Sequence, residues 1–295
     1  MSLSNERNPS LQEFVMTNIN ASAIESIRRC MTVHMESIGT VRPHFMLTGS
    51  SGAGKSYTVQ AIAEELELPF VEINCAQLTK EGLSGNSLAK EMAAVKGFSG
   101  VPTVVFADEF DKLLIAGNSN SDLAHESTAG VQNEFLKMLE SDITKVYGDY
   151  GKYQEVNVGK VLFIFAGAFN GVDMHNLDDL RSVGVKNEFL GRVPLHFHLE
   201  KPTLDDLLGL LNRSALMEGY LELFSSVKRD TARKAIAEAI KQGYDSNTLG
   251  VRFINTLVHQ YFIEGGFQAK KPSQKRPARS PHKQPLDFSR GAATR

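Results

Sequence analysis

Gly49-x-x-x-x-Gly54-Lys55-Ser56 constrains this 295-residue chain more than any other feature. An apolar burst, Phe45-Met46-Leu47, runs into it, and Val59, Ile62, Ala63 and Leu66 recur behind it at i, i+3, i+4 and i+7. Strand, glycine-rich turn and amphipathic helix are the context in which such a turn binds phosphate. The glycines let backbone N–H groups close around phosphate oxygens, and the helix N-terminus adds favourable partial charge. Gly49, Ser50, Ser51, Gly52, Ala53, Gly54, Lys55, Ser56 and Tyr57 are the nucleotide-binding candidates. Lys55 would reach the β- and γ-phosphates, and Ser56 would ligate Mg²⁺.

The second constraint is Val104-Val105-Phe106-Ala107-Asp108-Glu109. A buried strand here delivers two adjacent carboxylates at its C-terminal end, where open α/β sheets bind ligands. Asp108 would act at Mg²⁺, and Glu109 would orient the attacking water, so Glu109 and Lys55 are catalytic candidates. A solvated strand end explains such a pair when it stands alone. After a phosphate-binding loop it points to ATP hydrolysis.

The rest of the chain alternates in the same way. Phe70–Ile73, Val101–Ala107, Val161–Ala166 and Pro194–Leu199 read as further strands, with helices at about Ala21–Ser37 and ending around Val131–Glu140. Beyond Lys201-Pro202 the pattern is helical, with the stripe Leu204, Leu207, Leu208 and Leu211 and helices near Lys228–Gln242 and Gly250–Phe262. Strands alternating with helices imply a mainly parallel α/β sheet, and the remainder implies a small all-α domain.

Composition excludes several classes. Hydrophobic residues make up 42% and charged residues 22%, which supports a real core rather than wholesale disorder. Cys30 and Cys75 alone make neither a disulfide framework nor a four-ligand zinc site. No apolar run approaches a membrane span and the N-terminus lacks signal-peptide regions, so the expectation is a cytoplasmic protein without membrane contact. Gln268 to Arg295 carries eight Lys or Arg against Asp287, a formal +7 that leaves −9 for the rest of a chain of net −2. With four of the ten prolines, it reads as a disordered basic tail, either a solvated extension or a contact for nucleic acid or an acidic partner.

At this point the sequence resembles the AAA+ ATPases, and within them the ClpX branch of protein unfoldases, over roughly Ala23 to Gly265. Asp108-Glu109-Phe110-Asp111-Lys112 is similar to the family's DEIDK box, and Ala129–Glu140 to its GEGVQQALLKLIEG helix. Val161–Gly171 resembles ILFICGGAFAG, and Asn187–Pro194 resembles PEFIGRLP. The resemblance implies a P-loop NTPase with a five-stranded parallel sheet in the order 5-1-4-3-2 and a helical lid. The expected division is an N-terminal extension at 1–20, an α/β ATPase domain at 21–200, a lid at 201–266 and the tail at 267–295.

It also implies roles. Arg192 falls on the arginine finger supplied to a neighbouring subunit, although a surface arginine before a strand would look the same. Gly250-Val251-Arg252 resembles the sensor 2 motif, in which the lid arginine meets the phosphates. Asn170 is the sensor 1 candidate, where the family has alanine. Asn74 could hold Glu109 off between cycles, or simply cap a strand end. The pore-loop segment aligns with Gly82–Ser87 and puts Leu83 where an aromatic grips substrate. Tyr147, Tyr150 and Tyr153 stand where a second pore loop should project, and His196 and His198 on one strand face read as structural histidines rather than a metal pair.

Two further departures shape the expected function. The family's zinc-binding N-terminal domain has no counterpart here, and only a short link joins Gly171 to Asn187 where ClpX carries its protease-docking insertion. The implied protein is an ATP- and Mg²⁺-dependent motor that assembles with itself, as a hexamer, and remodels a protein substrate without a ClpP-type protease. The alternative is a nucleic-acid-associated loader or packaging and replication accessory of mobile-element or phage type, with the tail as contact. An assembly scaffold that barely hydrolyses is a third reading, against which Glu109 and Arg192 argue.

Overall fold

The computed structural model describes residues 20–78, 86–114, 122–148, 151–169, 174, 176–224 and 226–267. Its helices are α1 (Ala21–Glu36), α2 (Lys55–Glu65), α3 (Leu88–Glu91), α4 (Asp122–Glu140), α5 (Leu177–Ser182), α6 (Asn187–Arg192), α7 (Leu204–Asn212), α8 (Ala215–Leu223), α9 (Arg229–Gly243) and α10 (Arg252–Ile263). The strands are β1 (Phe45–Thr48), β2 (Phe70–Asn74), β3 (Thr103–Asp108), β4 (Ile143–Tyr147), β5 (Tyr153–Asn157), β6 (Val161–Gly167) and β7 (Leu195–His198).

Five strands form one parallel sheet in the order β2-β3-β6-β1-β7. β1 and β6 are buried along their whole length and β3 nearly so, which is why they read as continuous apolar runs. Alternation then sends successive side chains to opposite layers. Phe45, Leu47, Val104, Phe106, Leu162 and Ile164 pack with Ile24 and Ile27 of α1 and Val59 and Ile62 of α2. Met46, Val105, Ala107, Phe163 and Phe165 pack on the other side with Phe135 of α4 and Phe189 of α6. α7 to α10 enclose a third core of their own, built on Leu207, Leu211, Ile236, Ile240, Ile254 and Val258.

Two histidines belong to this framework. His44, just before β1, is buried and its Nδ1 accepts the Phe163 N–H at 3.0 Å. Burial, with Arg42 and His34 nearby, lowers its pKa to about 3, so it is neutral in the fold. His34 Nδ1 lies 3.0 Å from the Val41 carbonyl, and burial lowers its pKa too.

Tyr147 and Tyr153, expected where a second pore loop projects, lie on the two strands of a hairpin. β4 and β5 pair antiparallel, Val146 and Val156 turn inward, and the Tyr147 and Tyr153 rings meet edge to face at 5.7 Å. Each strand carries a single buried valine among exposed residues, too thin an alternation to stand out in sequence. Tyr150 lies outside the described residues, as do Leu83, Asn170 and the tail from 268. Among the described residues no helix is long and apolar enough to cross a membrane.

Candidate functional site

In a parallel sheet all strands end on one edge, so the turns after β1, β3 and β6 converge. The turn after β1 runs from Gly49 to Gly54. Gly49, Gly52 and Gly54 have φ of 145°, 77° and 94°, a region that side chains with a Cβ avoid. Gly54 is the N-cap of α2 and no side chain caps that helix, which leaves its positive end for an outside acceptor. Lys55 Nζ lies inside the loop and donates to the Gly49 carbonyl at 2.7 Å and the Ser50 carbonyl at 3.1 Å. Burial lowers its pKa; Asp108 and Asp111 oppose that shift, and Arg252 adds to it.

The turn after β3 supplies carboxylates. Asp108 Oδ1 accepts the Glu109 N–H at 2.9 Å, and Glu109 is exposed with a left-handed φ of 55°. Phe110, next in line, sits in the aromatic core against Phe135, Phe165 and Phe189, so the turn hangs from a fixed anchor. Asp111 is buried beside Lys112, whose Nζ is 3.1 Å from its Oδ2.

The third contribution comes from the far end of the chain. The Val251 N–H donates to the Gly52 carbonyl at 3.0 Å, which docks the turn before α10 on the phosphate loop. Gly250 (φ 58°) and Gly52 approach so closely that a Cβ on either would strike the other's neighbourhood of bare backbone.

Together these turns line a cleft of about 370 Å³, with Ser51, Gly52, Gly54, Lys55, Ser56 and Tyr57 on one wall. Asp108, Glu109, Asp111, Lys112 and Ala168 form the floor, and Val251, Arg252 and Asn255 the side toward α10. Ala168 and Val251 fall in the sensor 1 region Ala168–Asn170 and the sensor 2 motif, whereas Asp111, Lys112 and Asn255 carry no role in the sequence reading. Asn255 could have been found from its spacing of three beyond Arg252 on one helix. Glu72 is a further neighbour. The β2–β3 register sets it diagonal to Asp108 on one sheet face, and its carboxyl is pushed up by burial first and then by the Asp108 charge, with Arg252 opposing.

Other expected site residues lie elsewhere. Asn74 sits opposite Asp108 in the register, but its Oδ1 accepts the Ala76 N–H at 2.9 Å and caps a short turn. Arg192 ends α6 and pairs on the half-exposed surface with Glu140 of the same chain. His196 Nε2 and His198 Nδ1 lie 2.8 and 2.9 Å from the one Thr48 hydroxyl. That hydroxyl has a single proton, so at least one ring nitrogen donates to it.

The donor set fits a magnesium nucleotide. Lys55, Arg252 and the end of α2 offer positive charge, and Ser56 and Asp108 offer oxygen atoms of the hard kind that suits Mg²⁺ beside phosphate. The buried Ser50 Oγ has no hydrogen-bond partner among the described residues, an unmet polar group within the phosphate loop. Among the described residues no cluster of three His, Cys, Asp or Glu makes a protein-only metal site.

Fold and cleft define a P-loop nucleoside triphosphatase. Residues 45–179 match the family model of the ATPases associated with various cellular activities. The chain is 26% identical over 296 residues to the ATP-dependent Clp protease ATP-binding subunit ClpX of Bacteroides thetaiotaomicron, covering 84% of this chain and 70% of that protein. Proteins of the same description from Borrelia duttonii and Treponema denticola are 25% and 24% identical, over 79% and 88% of this chain and 65% and 75% of theirs. The protein is an ATPase, and it resembles the AAA+ module of ClpX.

Proposed function

We infer that this ATPase is a ring-forming motor that converts ATP hydrolysis into force on a protein substrate or complex. One observation carries the reading: loop, carboxylate turn and Arg252 meet in a single cleft, with Val251 docked on Gly52. A cleft that joins the phosphate loop to the turn before α10 would tie nucleotide state to the relative position of two chain segments, which a motor requires. The separate core of those helices supports their reading as a lid spanning 201–266 beside an α/β domain spanning 21–200.

In this reading Lys55 and Arg252 neutralise charge on the β- and γ-phosphate oxygens, and backbone N–H groups of Gly49–Gly54 cradle them. Ser56 and Asp108 would hold Mg²⁺, which would supply positive charge beside the phosphates. Glu109 orients the attacking water in line with the γ-phosphate. Arg192 completes the site of the next subunit, and Leu83 meets the substrate in the central pore. We assign the protein to the cytoplasm, acting without a ClpP-type protease.

The test begins with hydrolysis and assembly. Wild type should turn over ATP and sediment as a hexamer-sized ring with nucleotide. Lys55→Ala should lose ATP binding, whereas Glu109→Gln should bind ATP and hydrolyse it about a hundredfold more slowly or worse. Equal, near-wild-type turnover in both variants would overturn the catalytic roles. Stimulation by unfolded protein, abolished by Leu83→Asp, supports remodelling. The basic tail sustains one rival: salt-sensitive stimulation by single-stranded nucleic acid alone, insensitive to Leu83→Asp, would make the protein a nucleic-acid-associated factor.

A further inference from the structure

Two residues with side chains adopt left-handed backbone beside the cleft: Glu109 after β3 (φ 55°), which lines it, and Phe169 after β6 (φ 46°), next to the lining residue Ala168. Non-glycine residues occupy this region at a cost, and such strain persists where the surroundings enforce it. β3 and β6 are adjacent in the sheet, so the two strained turns are neighbours. Asp111 lies between them. Its Oδ1 accepts the Ala168 N–H at 3.3 Å, and its Oδ2 faces Lys112 Nζ at 3.1 Å. Asp111 is 1% exposed, and a charge so buried is held only by partners that answer it.

The surrounding packing is cut to admit this contact. A Cβ on Gly167 would lie 2.9 Å from Asp111 Oδ1 and 2.8 Å from the Phe169 ring, so glycine leaves the room in which the two turns meet. On one side Phe110 locks the Glu109 turn into the aromatic core, and on the other Phe169 is itself buried. An aromatic anchor stands at each end of the link: Phe110 next to the strained Glu109, and Phe169, which is itself the strained residue.

We propose that Asp111 is a positioning residue for hydrolysis: by bridging to Ala168 it holds the Glu109 turn in its strained conformation and makes the ends of β3 and β6 move as one. The inference rests on the reading of Glu109 as the residue that orients water. Asp111 does not touch the substrate in this scheme. It sets where the Glu109 carboxylate points, and a misplacement of about 1 Å can cost on the order of a hundredfold in rate.

The experiment compares Asp111→Ala with Asp111→Asn, using ATP turnover, the affinity of a fluorescent ATP analogue and thermal melting. Alanine removes the bridge; asparagine keeps an acceptor oxygen at the same distance from Ala168 and drops the charge. Asp111→Ala is expected to lower kcat about tenfold or more with nucleotide affinity changed less than about threefold. Asp111→Asn is expected to restore most of that kcat. If Asp111→Ala does not fold, Gly167→Ala crowds the same bridge and should show the same loss of kcat at retained affinity. Normal kcat in a folded Asp111→Ala or Gly167→Ala protein overturns the bridge, as does an asparagine variant as slow as the alanine one. Glu109→Gln is the reference. If it is slow while Asp111→Ala is not, the bridge alone fails. If Glu109→Gln turns over normally, the catalytic reading of the turn fails and takes the bridge with it.

Discussion

His44 shows how a single side chain can set the acid limit of a fold. Its folded pKa of about 3 stands below the ordinary 6.5, so between those values the unfolded chain binds a proton that the folded chain refuses. Its contribution is fully present above pH 6.5 and is lost as pH falls toward 3. At about 1.4 kcal/mol per unit, moving from pH 7 to pH 5 should remove about 2 kcal/mol of stability through His44. His34, lowered in the same direction, adds to the loss. His44→Asn can still accept the Phe163 N–H and carries no titratable ring. Urea titrations at the two pH values should show its acid loss smaller by about 2 kcal/mol, and an unchanged acid loss would refute the assignment.

Between elements, the closest approach is that of the phosphate loop and the turn before α10. Gly250→Ala would place a Cβ in left-handed backbone against the Gly52 carbonyl, with a strain of roughly 1–2 kcal/mol before any clash. The expected result is ATP affinity weakened about fivefold to thirtyfold, because the same contact positions Arg252. Gly209→Ala is the matched comparison. It lies within α7, nothing stands within 4 Å of its added Cβ, and its φ is not left-handed. That change should stabilise the protein by about 0.4–1 kcal/mol and leave nucleotide affinity alone. Isothermal titration and melting curves separate the two outcomes, and equal ATP affinity in both variants would sink the docking argument.

Across the whole molecule, Arg192 is set apart from its own chain's cleft and engaged with Glu140 at half-exposed positions. Surface pairs of this kind are worth about 0–1 kcal/mol, so a neighbouring subunit's nucleotide could recruit the guanidinium at little cost. Arg192→Ala should therefore melt within a few degrees of wild type while losing most of its turnover. Mixed with Lys55→Ala, it should regain activity, because one partner brings an intact phosphate loop and the other an intact arginine. No recovery from proven mixed assemblies would remove the role in trans.

What could be read from sequence was what short stretches decide. The Gly49–Ser56 turn, the Asp108-Glu109 pair after a buried strand and the stripe of α7 rest on spacing within about ten residues, where chain geometry alone dictates which side chains share a face. The hairpin of β4 and β5 escaped because each strand buries only one valine, too weak a pattern to reveal the pairing. Asp111 stood within a recognisable motif, yet its contact with Ala168 spans 57 residues, and Val251 reaches Gly52 across nearly 200. The left-handed φ of Glu109 and Phe169 likewise belongs to no local propensity, since neither residue favours it. Local pattern determined which segments become strands, loop and helix. Which turns meet at the sheet edge, and which carboxylate is buried between them, was decided only by the packing of elements far apart in sequence, where burial forces each polar group to find its partner.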